Sequence, residues 1–81
     1  ISIQPNPSKD IPVFRINSMG EQEVSIIVTN EYGLQVYDRI HSLSPGKNDI
    51  QVHFSKISNG IYFYRIQSSE AVYSGKFIVQ K

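Results

Sequence analysis

Apolar and polar residues alternate with period two through most of the chain. Val24, Ile26 and Val28 alternate with Ser25 and Thr29, while Ile27 puts one apolar residue on the other face. Ile50, Val52 and Phe54 alternate with Gln51 and His53, and Phe14 and Ile16 flank Arg15. Leu34, Val36 and Ile40 share a parity that Asp38 interrupts. Such alternation marks strands with one face on a core. From Ile61 to Ile66 both parities are rich in apolar and aromatic residues. That pattern predicts a central strand covered on much of both faces. Ala71–Val79 reads as a last strand ending in Phe77, Ile78 and Val79.

The residues between these segments are turn formers. Asn30-Glu31-Tyr32-Gly33 has Asn first and Gly fourth, which predicts a type I turn whose Gly takes positive φ and closes a hairpin with a bulge. Ser44-Pro45-Gly46-Lys47 places Pro and Gly where a type II turn needs them. Ser68-Ser69-Glu70 is a short polar link. No segment has the period of an amphipathic helix, and Phe54–Asn59 is the one stretch expected to make a short helical turn. Strands are expected near 1–4, 12–17, 23–30, 34–41, 48–54, 60–68 and 71–80.

Short strands at regular spacing predict an all-β sandwich or barrel. Ile57-Ser58-Asn59-Gly60-Ile61-Tyr62 favours the sandwich. It resembles a tyrosine corner, in which a Tyr near a strand start ties its hydroxyl to backbone upstream. The expected fold is a seven-stranded antiparallel immunoglobulin-like Greek-key sandwich, with Ile57, Tyr62, Tyr64 and Ile66 holding the core.

Length and charge narrow the function. Eighty-one residues make one domain, 1–81, with net stability of about 4–12 kcal/mol. A core of that size has no room for a deep catalytic cleft. Eight basic and seven acidic residues are spread along the chain, giving a net charge of +1. No basic stripe offers itself to phosphates, so nucleic acid is not an expected partner. No apolar run is long enough to span a bilayer. With no cysteine, disulfides and thiolate metal sites are excluded. A start at Ile1 without a signal peptide leads us to expect a piece of a larger polypeptide.

Residues that could carry chemistry do not form a constellation. His41 and His53 each stand alone, without a second imidazole or a carboxylate at metal-ligand spacing. The serines lack a G-x-S-x-G elbow, and the glycines are single turn residues rather than a phosphate cradle. The carboxylates lie mostly in turns or on polar parities. No catalytic residue, metal ligand or cofactor is expected. Tyr32 and Tyr37 are the aromatics expected to be exposed, and two such rings are a thin basis for sugar stacking.

Three landmarks, taken in order, carry a resemblance. Pro5-Asn6-Pro7 follows a short apolar strand start. Asn30-Glu31-Tyr32-Gly33-Leu34-Gln35-Val36 and Ile57-Ser58-Asn59-Gly60-Ile61-Tyr62-Phe63 fill the middle. Gly75-Lys76-Phe77-Ile78-Val79-Gln80-Lys81 ends the sequence. Together they resemble the C-terminal sorting domain of type IX secretion cargo, the Por secretion tail of Bacteroidota. One departure is Gln4, where the family usually has an aromatic before the first Pro.

The resemblance implies an address label rather than an enzyme. It implies a parent protein that reaches the periplasm by its own signal peptide. Its partners would be outer-membrane type IX components and a surface sortase-like protease, with the parent cargo domain in cis. The destination would be the cell surface or medium. Lys76, Phe77, Ile78, Val79, Gln80 and Lys81 are the expected recognition residues. Pro5, Asn6, Pro7, Gly33, Gly60, Tyr62 and Gly75 are the expected motif and structural residues. The competing expectation is a fibronectin-like or carbohydrate-binding accessory module of a secreted protein.

Overall fold

The computed structural model describes residues 2–6, 12–54 and 57–80. Its elements are β1 (Ser2–Asn6), β2 (Val13–Ser18), β3 (Gln22–Asn30), β4 (Gln35–Leu43), β5 (Gly46–Gln51), β6 (Gly60–Gln67) and β7 (Val72–Val79). They form two antiparallel sheets, ordered β1-β2-β5 and β4-β3-β6-β7. No described residue is helical, so the turn expected over Phe54–Asn59 is not found among its described residues, Phe54 and Ile57–Asn59. β1 runs on through Pro5, which pairs with Phe14, and β5 begins earlier and ends earlier than the alternation around Val52 suggested.

One hydrophobic cluster takes side chains from both sheets. Phe14 and Ile16 of β2 join Val24, Ile26 and Val28 of β3, Tyr62 and Ile66 of β6, and Phe77 and Val79 of β7. Phe14 is wholly buried and meets Tyr64 edge-on at 5.0 Å and Phe77 at 5.5 Å. Truncating such a ring costs about 3–5 kcal/mol. Ile57 and Tyr64 lie at the margin of the cluster, partly buried.

The hairpin between β3 and β4 closes as the turn residues dictate. Gly33 N donates to Asn30 O at 3.0 Å, and Gly33 has φ +84°. The Asn30 side chain accepts from Tyr32 N and Leu34 N, holding the turn from inside. At the next link Gly46 has φ +95°, as a type II turn requires. There the Asn48 amide donates to Ser44 O, Gly46 O and Ile16 O. The chain crosses from one sheet to the other at this link, and Asn48 ties the crossing to β2. Ser68 closes the β6–β7 link through Ser68 N and Ala71 O.

β4 departs from its alternation. Thr29 pairs with Gln35 and Val28 with Tyr37, so Val36 is an extra residue in β4. A bulge of this kind reverses which parity faces inward. Tyr37 is therefore buried at 6% exposure, not exposed as the polar parity suggested. Leu34 and Ile40 are exposed, while Val36 packs against the core margin and Leu43 is buried within it. β6 also differs. It is an interior strand of its sheet, but Ile61 and Phe63 are exposed on the outer face, so only one face is covered. Interior position within a sheet and cover on both faces are separate properties, and β6 has only the first.

Candidate functional site

The last hairpin gathers most of the residues that the sequence marked. Val72–Val79 forms a strand because the Ser68 turn reverses the chain and alternate residues then find the core. Tyr73, Gly75, Phe77 and Val79 face inward, and Val72, Ser74, Lys76 and Ile78 are exposed outward. Among the described residues β7 pairs with β6 alone and forms an edge of its sheet. Its register sets Gly60 opposite Val79, Ile61 opposite Ile78, Tyr62 opposite Phe77, Phe63 opposite Lys76 and Tyr64 opposite Gly75.

Tyr62 anchors the start of this hairpin. Its hydroxyl donates to Ser58 O at 2.8 Å and accepts from Ser58 N at 3.2 Å, the backward tie expected of a corner. Its ring stacks on Phe77 at 5.5 Å and 16°. Gly60 precedes it with φ +151°, a conformation that side chains rarely adopt, and the Glu31 carboxylate lies beside it. Gly60, Tyr62, Gly75, Lys76, Phe77, Ile78 and Val79 therefore form one continuous structure. Gln80 follows the strand and is exposed.

Other marked residues lie elsewhere. Gly33 is in the turn between β3 and β4. Pro5 and Asn6 are in β1, an edge of the other sheet, paired with Phe14 and Val13. Pro5 offers no N–H to a further strand, which blunts that edge. Pro7 and Lys81 lie outside the described residues.

Two features went unread in the sequence. One is the close approach of Tyr64 to Gly75, where a Cβ on the glycine would meet the ring. The signal was a glycine inside a strand pattern, which suggests that something approaches the backbone closely. The other is a pair on β4: the Tyr37 hydroxyl and His41 Nε2 lie 2.7 Å apart, with the rings stacked at 6.1 Å and 11°. Burial and, secondly, the Arg39 charge hold His41 below the usual histidine range, and burial raises Tyr37 against an opposing effect of Arg39. Which of the two groups donates in this bond is set by the imidazole tautomer. Tyr37 and His41 share one parity, and the bulge at Val36 turns that face towards the core.

No group of three or more His, Cys, Asp or Glu among the described residues is placed to hold a metal ion. No helix among them is long and apolar enough to cross a membrane. Of the two tyrosines considered for sugar stacking, Tyr32 is exposed and Tyr37 is buried, so they do not form a shared aromatic platform.

A comparison with curated proteins gives no match. A comparison with protein families matches residues 2–80 to the secretion system C-terminal sorting domain. That family is a sorting signal and not a catalytic family. Its function implies interaction with the secretion machinery and export across the outer membrane, to the cell surface or beyond. With nearly its whole length matched, the chain belongs to the secretion system C-terminal sorting domains and is a sorting signal of the type IX secretion system.

Proposed function

We propose that this sorting signal is read as a folded domain through its last strand. In this reading residues 1–81 are one seven-stranded immunoglobulin-like Greek-key sandwich at the C-terminus of a larger secreted protein. The parent enters the periplasm by its own signal peptide. Outer-membrane type IX components then engage Lys76, Phe77, Ile78, Val79, Gln80 and Lys81, and a surface sortase-like protease removes the domain from its cargo. The sandwich is supported by the cluster shared between the sheets, by the crossing from β4 to β5, and by the corner bond of Tyr62.

The observation that carries the recognition strand is the free edge of β7. Eight residues long, it has β6 on one side and no strand of the described residues on the other. Its backbone can be continued by an extended segment of a partner, with side chains at alternate positions conferring choice. The other three edge strands among the described residues are less open: β1 holds Pro5, β5 is six residues long and carries Lys47 and Asp49, and β4 is bulged at Val36 and carries Asp38 and Arg39.

The test is a reporter directed to the periplasm and fused upstream of this chain, expressed in a type IX-competent cell. The expected result is a reporter at the surface or in the medium, trapped in the periplasm when Lys76–Lys81 is deleted. Export of the truncated fusion at the full-length level would overturn the recognition strand. No export of the intact fusion would overturn the reading that residues 1–81 suffice as the signal.

A further inference from the structure

Gly75 sits in the interior of β7, where a glycine weakens a strand and needs a reason. It is not among the glycines with positive φ, so no turn geometry accounts for it. Its directly opposed partner on β6 is Tyr64. A Cβ on Gly75 would stand 2.5 Å from the Tyr64 hydroxyl oxygen, 2.7 Å from Cζ and 2.8 Å from Cε2. The far half of the phenol ring thus lies against the backbone of β7, in space that any other residue type would fill. An aromatic ring laid over a cross-strand glycine covers backbone that would otherwise be bare.

The ring is held there from other directions. Phe14, from the opposite sheet, meets it edge-on at 5.0 Å and 69°. Phe77 meets it at 6.5 Å and 33°, and Phe14 and Phe77 meet each other at 5.5 Å and 85°. Swinging Tyr64 away to admit a larger residue would break its packing on Phe14, whose own side chain is wholly buried. The contact pins the middle of an edge strand, which among the described residues has a sheet partner on one side only.

We propose that Tyr64 and Gly75 form a latch that holds the last strand flat and in register, so that Lys76 and Ile78 are offered outward in a fixed geometry. Both are positioning residues for sorting. The inference rests on the reading of β7 as the recognition strand, and its test separates the two.

The reporter fusion is prepared in four forms: unchanged, Gly75→Ala, Gly75→Ala with Tyr64→Leu, and Val24→Ala. Leucine is too short to reach the three atoms that a Cβ on residue 75 would meet. Val24 is buried in β3 beyond the residues paired with β6, and its truncation lowers stability while leaving the β6–β7 pairing and the Tyr64–Gly75 contact intact. Hydrogen exchange is read strand by strand, and export is read in cells. Gly75→Ala is expected to speed exchange in Val72–Val79 by roughly tenfold or more relative to β3. Its export is expected to fall below that of Val24→Ala at equal global stability, and the double variant is expected to recover both. If Gly75→Ala unfolds the whole domain, recovery of fold and export in the double variant supports the latch. The latch is overturned by unchanged β7 protection in Gly75→Ala, by lost protection with full export, or by a double variant as defective as the single. Failure of the unchanged fusion to be exported removes the sorting role of β7, while the exchange comparison still decides whether the latch exists.

Discussion

The Tyr62 hydroxyl bonds to both main-chain groups of Ser58, donating to the carbonyl at 2.8 Å and accepting from the amide at 3.2 Å. The ring beneath is 4% exposed and packs on Phe54 and Phe77. Tyr62→Phe keeps that packing and removes only the oxygen. The expected cost is about 1–3 kcal/mol, because the Ser58 groups lose their partner at the end of the sheet. Urea melts should show a lower midpoint with an unchanged slope. An unchanged midpoint would mean that water replaces the hydroxyl at no cost and that the tie contributes nothing.

Gly33 gives a second test, with a purely backbone cause. Nothing lies within 4 Å of a Cβ placed there, yet φ is +84°. Gly33→Ala should therefore cost about 1–2 kcal/mol, from the left-handed conformation alone. Gly33→Asn should cost less, because Asn tolerates that region better. Equal stability of the two variants would show that the turn relaxes to another type.

The Tyr37–His41 pair predicts a dependence on acidity. His41 is held below its usual pKa of 6.5, first by burial and then by Arg39, so the unfolded chain binds the proton more readily. Its contribution to stability is complete above pH 6.5 and is lost as pH falls from there through the lower folded value. Thermal melts of the native chain should lose stability over that window more steeply than those of His41→Asn. Parallel pH profiles for the two would show that the imidazole takes up its proton without penalty.

Charge on the proposed recognition strand can be separated from its apolar surface. Lys76 is exposed, so Lys76→Glu with Lys81→Glu should change stability by less than about 1 kcal/mol if Lys81 is exposed as well. If the reporter fusion loses export while its melt is unchanged, the lysines are read directly. If truncation of Lys76–Lys81 blocks export and charge reversal does not, the apolar residues and the fold carry the signal, and the lysines serve solubility.

Sequence was most informative where local chemistry decides the structure. Asn30 to Gly33 specifies its turn through an amide side chain and a left-handed glycine. Phe14, Ile16, Val24, Ile26 and Val28 face the core as their spacing implies. It was least informative where pairing between distant segments decides. The bulge at Val36 is set by how β4 fits β3, and it carried Tyr37 inward and Ile40 outward against their parity. Phe63 reads as buried by composition, but its outer face has no covering layer in the described residues. The Tyr64–Gly75 contact needed the register of β6 against β7, which neither segment contains alone. The last hairpin was marked through a family resemblance, whereas its position at a sheet edge emerged from the strand order.

The order β4-β3-β6-β7 joins an early strand to late ones, because β3 lies between β4 and β6. A ribosome that stops before residue 60 releases a chain whose β3 has lost one neighbour and whose three-stranded sheet faces no aromatic lid from Tyr62, Tyr64 or Phe77. Such a product cannot complete the second sheet or bury the core that both sheets share. The topology thus delays closure: a sheet begun by β3 and β4 is complete only once β7, the strand proposed for recognition, has been made.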